Sequence, residues 1–419
     1  MSLILIVADS LRHDVLGCAQ PGAAARPHRI EPADTPTLDA LAAEGVLFER
    51  AITAAPWTVP SIASMMTGVF SHRLGLVKWE QPFPAEFATL FYQASQRGLT
   101  VASFVFDPTH LFRRVPEAGV RGSSQDVASV LEWLRDHRDE EYFLFLHYWW
   151  THIPYAAKPM DVDAWRIVST QVLRALRKSP AARDGVIRLY RHAVTQFSEG
   201  FLPRLLEVAN LDTTWIAVTA DHGESWGERA QSAGLRNVFD LHGTHLYDEV
   251  LRIPLIVRPP GGGAGRRVSP LVRSVDLAPT FATLLGAPLP PTDDLDGVDL
   301  SACLLREAPA PALEAVSVAS YDFVDAPALP EDPRRLYQAF ALTTQDLKLI
   351  RELTPERRLA FDLELDPAEL NDLGSSSDER LRAGWARLDR EIERARVGDW
   401  LPQDARTVRL RLRELGYLE

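Results

Sequence analysis

Leu3–Ala8 is a run of Leu, Ile, Val and Ala, apolar at every position and bounded by the polar pair Asp9–Ser10. A strand with no polar face must be covered on both sides, and such β-branched-rich runs suit buried parallel strands. Similar runs recur at Val101–Phe106, Tyr142–His147, Trp215–Thr219 and Ile253–Val257. Helical patterns lie between them. Thr35–Glu44 carries Leu38, Leu41 and Ala42 on one face, Ala85–Arg97 and Asp126–His137 read similarly, and Asp163–Asn210 reads as two long amphipathic helices broken near Ser179–Pro180. This alternation predicts an α/β fold: a large doubly wound, mostly parallel sheet with helices on both faces, ending in a helix at Ser274–Gly286.

The pattern then changes. Pro259–Gly265, Ala287–Gly297 and Ala308–Pro333 are rich in Pro, Gly or Asp and read as turns and linkers. Gln338–Thr343, Leu347–Arg351 and Arg358–Leu363 are strand candidates spaced like a meander, followed by helical patterns at Asp378–Ala395 and Ala405–Leu415. The expected division is an α/β domain over 1–320 and a smaller α+β subdomain with an antiparallel sheet over 321–419. The 419 residues, 46% apolar and 24% charged, suffice for a sizeable core.

The formal charge is −12, and all but four of the 45 basic residues are Arg, dispersed along the chain. That balance argues against nucleic-acid or anionic-membrane partners and leaves room for one local anion pocket. Cys18 and Cys303 are too far apart in sequence for a disulfide framework or a CxxC metal site. No leader pattern precedes the first strand and no apolar run reaches membrane-spanning length, so a cytoplasmic protein, monomeric or homo-oligomeric, is expected.

In open parallel sheets, ligands bind beyond the carboxyl ends of the strands. Asp9 ends the first strand, while Asp221 and His222 end Trp215–Thr219, so the two sets should share one sheet edge. Trp57-Thr58-Val59-Pro60-Ser61 leads into the helical run Ile62–Gly68. Pro is tolerated in a first helical turn, which makes Thr58 a natural N-cap. The same geometry would hold an anion on free N–H groups beside the Thr58 hydroxyl. Asp221-His222-Gly223-Glu224 offers adjacent oxygen and nitrogen donors, although a surface loop would use the same turn residues. Taken together, Asp9, Thr58, Asp221 and His222 form a four-ligand set for one divalent ion. Imidazole without thiolate favours zinc or manganese, then iron, over calcium or magnesium.

Several motifs, in order, resemble the sulfatase-like branch of the alkaline phosphatase superfamily. Leu3-Ile4-Leu5-Ile6-Val7-Ala8-Asp9-Ser10 is similar to the family's opening strand and first metal acid. Thr35–Val46 resembles its next signature helix, Trp57–Gly68 its nucleophile segment, and Thr219–Glu224 its second metal motif. His242-Gly243-Thr244-His245-Leu246-Tyr247-Asp248-Glu249, Val275–Thr280 and the ending Leu412–Leu418 extend the likeness across nearly the whole chain. The resemblance implies Asp9, Asp221 and His222 as metal ligands and Thr58 as nucleophile. It implies that His152 contacts substrate or leaving group and that His242 binds the transferred group. His245 is a substrate-binding candidate that could equally be a loop histidine, whereas His72 and Asp14 read as structural.

The departures from the family bear on the chemistry. Thr58 and Ile62 stand where sulfatases have a Cys or Ser that becomes formylglycine and an Arg. The Cβ of Thr carries a methyl group, so it cannot become that aldehyde. Val105-Phe106-Asp107-Pro108 stands where a Lys-x-His element is expected, and Ser10 replaces a second metal acid. These features predict a one-metal hydrolase of small anionic phosphate esters, phosphodiester or phosphonate monoester, through a phosphothreonine. The competing expectations are a sulfuric ester hydrolase, a phosphoryl transferase to an alcohol acceptor, and a binding module without catalysis.

Overall fold

The computed structural model describes residues 1–19, 30–76, 82–106, 111–155, 167–169, 171–172, 176, 180–228, 241–243, 245–289, 294–306, 308–320, 337–353, 356–374 and 378–395. Among them the chain builds a nine-stranded sheet and a separate four-stranded sheet. The large sheet comprises β1 (Ser2–Ala8), β2 (Val46–Ile52), β3 (Thr100–Phe104), β4 (Val120–Gly122), β5 (Tyr142–Tyr148), β6 (Thr214–Thr219), β7 (Arg252–Arg258), β8 (Arg266–Val268) and β9 (Val272–Arg273). Its order is β4-β3-β5-β1-β6-β7-β2-β8, with β9 also pairing β2.

β1 lies at the centre, parallel to both β5 and β6. That explains its composition, because Ile4, Leu5, Ile6 and Val7 are all fully buried with neighbours on both faces. Each such side chain contributes about 1.5–3 kcal/mol. Beyond β6 the direction changes: β7 runs antiparallel to β6 and to β2. The apolar run Ile253–Val257 is thus a buried strand of the opposite sense, a correction to the parallel reading.

The helical patterns form at α1 (Pro36–Ala43), α2 (Thr58–Thr67), Leu90–Gln96, Val127–Asp136 and Leu277–Leu284. Pro180–Thr195 continues through a π-helical turn, Gln196–Phe201, into Leu202–Val208. Most of Asp163–Ser179, together with Ala405–Leu415 and Leu412–Leu418, lies outside the described residues. No described helix is long and apolar enough to cross a membrane.

The second sheet is antiparallel, in the order β10 (Ala315–Ser320), β11 (Tyr337–Thr343), β12 (Leu347–Leu353) and β13 (Glu356–Asp362). β10 falls inside the Ala308–Pro333 stretch read as linker, and lies on the N-terminal side of the 320/321 division. Its small residues pair with β11, and Ser317 Oγ donates to the Thr53 carbonyl at 2.6 Å. The helix Glu379–Glu393 buries Leu381, Leu388 and Ile392, one amphipathic face, in a cluster with Val318, Phe340 and Leu349. Ala54 and Phe70, which bracket α2, join that same cluster. The small sheet therefore buttresses the segment that carries Thr58.

Candidate active site

The parallel register brings the expected residues to one edge. Val7 pairs with Thr219, and the Asp9 N–H extends the ladder to the Tyr148 carbonyl at 2.9 Å. Asp9, Asp221 and His222 emerge together, fully buried, with ligand atoms within 4.8 Å of one another. Thr53 Oγ1 and Ser61 Oγ both lie 2.6 Å from the Asp221 carbonyl oxygen and tie the start of α2 to this cluster.

Thr58 does not cap α2. The N-cap is Trp57, which makes no side-chain capping bond, and Thr58 is the first helical residue. Its Oγ1 lies 3.4 Å from Asp9 Oδ2 and 3.4 Å from His222 Nε2. This corrects the capping reading: the hydroxyl faces the ligand cluster, beside the N–H groups left open at the helix N-terminus.

The carboxylates are held in place by backbone and side-chain hydrogen bonds. Asp221 Oδ1 accepts the N–H groups of Ser10 (3.2 Å) and His222 (2.9 Å), while its Oδ2 is buried with no hydrogen-bond partner. Ser10 Oγ donates to Asp9 Oδ1 at 2.8 Å from a backbone with φ +58°. That left-handed conformation costs a non-glycine residue about 1–3 kcal/mol and persists where its surroundings over-determine it. Here Tyr190 contributes, donating to the Ser10 carbonyl (3.0 Å) and accepting the Arg12 N–H (2.8 Å). Burial disfavours the Asp9 carboxylate, yet His152, His147 and His222 together hold it well below the usual carboxylate range.

Three imidazoles present one nitrogen each. Nδ1 of His222 bonds the Gly223 carbonyl at 2.8 Å, and Nδ1 of His152 bonds the Ile153 carbonyl at 2.8 Å. His242 Nδ1 bonds Glu224 Oε1 at 2.9 Å. A carbonyl or carboxylate acceptor favours the proton on Nδ1 and leaves the ring lone pair on Nε2. The His242 ring centroid lies 4.5 Å from that of His222 and 5.3 Å from that of His152. Burial lowers the proton affinity of both His152 and His242. His245 is buried beside Tyr247, ring centroids 5.7 Å apart, and is not part of the ligand cluster.

Sequence reasoning passed over two residues. His147, near the end of β5, brings Nε2 to 3.1 Å from Asp9 Oδ2. Burial opposes its protonation, but Asp221 and Asp9 outweigh that and push its pKa up to about 9. Glu224 is fully buried behind His242, with Oε2 accepting from Tyr155 at 2.9 Å, and burial pushes its pKa up to about 7. The only signals for them were a histidine closing an apolar run and a carboxylate two residues after a ligand. Gly223 is required between: a Cβ there would sit 2.1 Å from the Glu249 carbonyl oxygen. The expected structural pair behaves so. His72 bonds Glu391 at 3.0 Å and Asp14 pairs with Arg12 at 2.7 Å, both away from the cluster.

Comparison with known proteins places the chain among sulfatases. The chain is 29% identical over 233 residues to N-acetylglucosamine-6-O-sulfatase of Bacteroides thetaiotaomicron, covering 52% of this chain and 39% of that protein. It is 21% identical over 357 residues to the uncharacterized sulfatase YidJ of Escherichia coli, covering 68% and 67%. In fold it is similar to the crystal structure of phosphonate monoester hydrolase of Agrobacterium radiobacter, with a TM-score of 0.70 at 20% identity over 94% of this chain and 95% of that one. Residues 236–397 match the family described as N-sulphoglucosamine sulphohydrolase, C-terminal. Residues 2–287, which carry every ligand candidate, match the family Sulfatase, and the chain belongs to it.

Proposed function

We propose that this chain is a metal-dependent hydrolase of small anionic phosphate esters, a phosphodiester or phosphonate monoester, acting through a phosphothreonine at Thr58. The observation that carries this reading is the placement of Thr58 Oγ1 3.4 Å from both Asp9 Oδ2 and His222 Nε2. The likeness in fold to a phosphonate monoester hydrolase supports it.

Asp9, Thr58, Asp221 and His222 would hold one divalent cation, zinc or manganese by donor type. Such a cation, when bound, lowers the pKa of the Thr58 hydroxyl and screens charge on the transferred group. Thr58 Oγ1 then bonds to phosphorus as the bond to the leaving oxygen breaks on the opposite face. The open N–H groups at the start of α2 serve the equatorial oxygens. His242, with Nδ1 held by Glu224, donates from Nε2 to a non-bridging oxygen once the anionic ester favours its protonated form. His152 serves the leaving oxygen, because an anionic ester beside a buried imidazole favours its protonated form. Water attacks the phosphothreonine, releases the phosphate or phosphonate product and restores the Thr58 hydroxyl.

Wild-type protein supplied with zinc or manganese should turn over nitrophenyl phosphodiester and phenylphosphonate substrates faster than nitrophenyl phosphate or sulfate. A preference for the sulfate ester would overturn the reading in favour of a sulfuric ester hydrolase, which the family match and the name of its sulfatase relative support. Glu224 acts through His242. Replacing Glu224 with Ala should lower kcat by about 10–100-fold, and Glu224→Gln, which can still accept from Nδ1, should recover much of it. Steady-state kinetics on folded variants measures both.

A further inference from the structure

One buried imidazole at this sheet edge has no part in the reading above. His147 pairs in register with Val7 on the central strand and is 5% exposed. Its Nε2 lies 3.1 Å from Asp9 Oδ2 and 3.6 Å from Asp221 Oδ2. His147 Nε2 and Asp221 Oδ2 are both buried polar atoms without a hydrogen-bond partner. His222 Nε2 stands in a like relation to the same two carboxylates, 3.8 Å from Asp9 Oδ1 and 3.5 Å from Asp221 Oδ2.

Ligands held about 2.0–2.2 Å from one ion lie roughly 3.0–3.6 Å apart when adjacent around it. The separations from His147 to the two carboxylates fall in that interval. A buried imidazole nitrogen this close to two carboxylates and without a hydrogen bond has a cation as its natural partner, since buried polar atoms are seldom left unpaired.

We propose that His147 is a further ligand of the cation, so that the chain offers two carboxylates, two imidazoles and the Thr58 oxygen. The inference rests on the metal-dependent reading for the existence of the ion and adds a residue to its shell. A second imidazole turns the site further from calcium and magnesium and toward zinc, manganese or iron.

Equilibrium dialysis against zinc and manganese alone tests it, on wild type, His147→Ala, His147→Gln and Asp221→Asn, each checked for folding by near-ultraviolet circular dichroism. Both His147 variants should bind about 10–100-fold more weakly than wild type. Wild-type affinity in His147→Ala, with binding lost in Asp221→Asn, would overturn the assignment and leave the metal-dependent reading standing. Wild-type affinity in His147→Gln alone would also overturn it, showing that a hydrogen bond to the carboxylates suffices. No binding by wild type would instead remove the metal-dependent reading itself. Should the variants fail to fold, cobalt-loaded wild type decides by proton NMR. Two exchangeable imidazole N–H signals shifted by the paramagnetic ion support His147, and one overturns it.

Discussion

Replacing Thr58 with Ala should abolish turnover, by on the order of 10⁴-fold or more in kcat, while leaving a folded protein. On the reading proposed above, the loss follows from removing the atom that would bond to phosphorus, since Asp9, Asp221 and His222 would be held by the ion. The fold should survive because Thr58 Oγ1 caps nothing, and its two polar contacts are long, 3.4 Å each. Thr58 is buried, so loss of its methyl should cost about 1 kcal/mol. Thr58→Ser keeps an oxygen in place and should retain much of the rate. Acid-quenched wild type should carry on Thr58 one phosphoryl group still bearing the ester substituent that did not leave, detectable by peptide mass spectrometry during turnover of a phosphodiester. Equal rates for wild type and Thr58→Ala would end the phosphothreonine mechanism.

How far the sequence revealed this site depends on the kind of signal each residue left. β1, β5 and β6 were readable because a central strand buries both faces, which leaves an unbroken apolar run. Asp9 and Asp221 were readable because each is the polar residue that stops such a run at the carboxyl end. Strand direction leaves no such mark. β7 is as apolar as its neighbours yet antiparallel, since burial on both faces says nothing about polarity. β2 escaped notice because Glu49 and Arg50 interrupt its apolar pattern, where its register with β7 shifts between Phe48 and Ala51.

The remaining gaps concern residues whose meaning is purely tertiary. β10 is a strand of small residues in a Pro-rich stretch, and its status comes from pairing with β11 and from the Ser317 bond to Thr53. His147 acquires a role only once its register with Val7 sets it beside Asp9. Glu224 acquires one only when the chain folds His242 back onto it. The Trp residues near the motifs divide in the same way. Trp57 Nε1 donates to Ser320 and Trp226 Nε1 to Tyr155, which are packing roles. Trp149 stacks on His152 with ring centroids 4.1 Å apart and so helps set the plane of that imidazole.

Lys348 should produce the largest stability effect in the protein. It sits on β12, fully buried, with Nζ 2.6 Å from Asp248 Oδ1 and in an ion pair with Glu369. Asp248 follows directly on the segment carrying His242 and His245, and its N–H donates to Glu369 Oε2 at 3.0 Å. One ammonium thus joins the small sheet to the chain behind the site. Lys348→Met keeps the volume but takes the ammonium away from buried Glu369 and part-buried Asp248, and breaking such a buried pair costs about 3–5 kcal/mol. The pH dependence has a definite sign. Burial disfavours charge on both partners, but Lys348 holds Asp248 below its ordinary value and the two carboxylates hold Lys348 above its own. The carboxylate's contribution is present above about pH 4 and is lost as pH falls through its folded value. The ammonium's is present below about pH 10 and is lost as pH rises through its folded value. In Lys348→Met less positive charge remains to offset the burial of the Asp248 carboxylate, so it should take a proton more readily. The gap in unfolding free energy between wild type and variant should then be widest near pH 7 to 8 and narrow as pH is lowered toward 5. Urea unfolding across that interval measures it, and a gap that stays constant would show that the carboxylates find another partner when the lysine is gone.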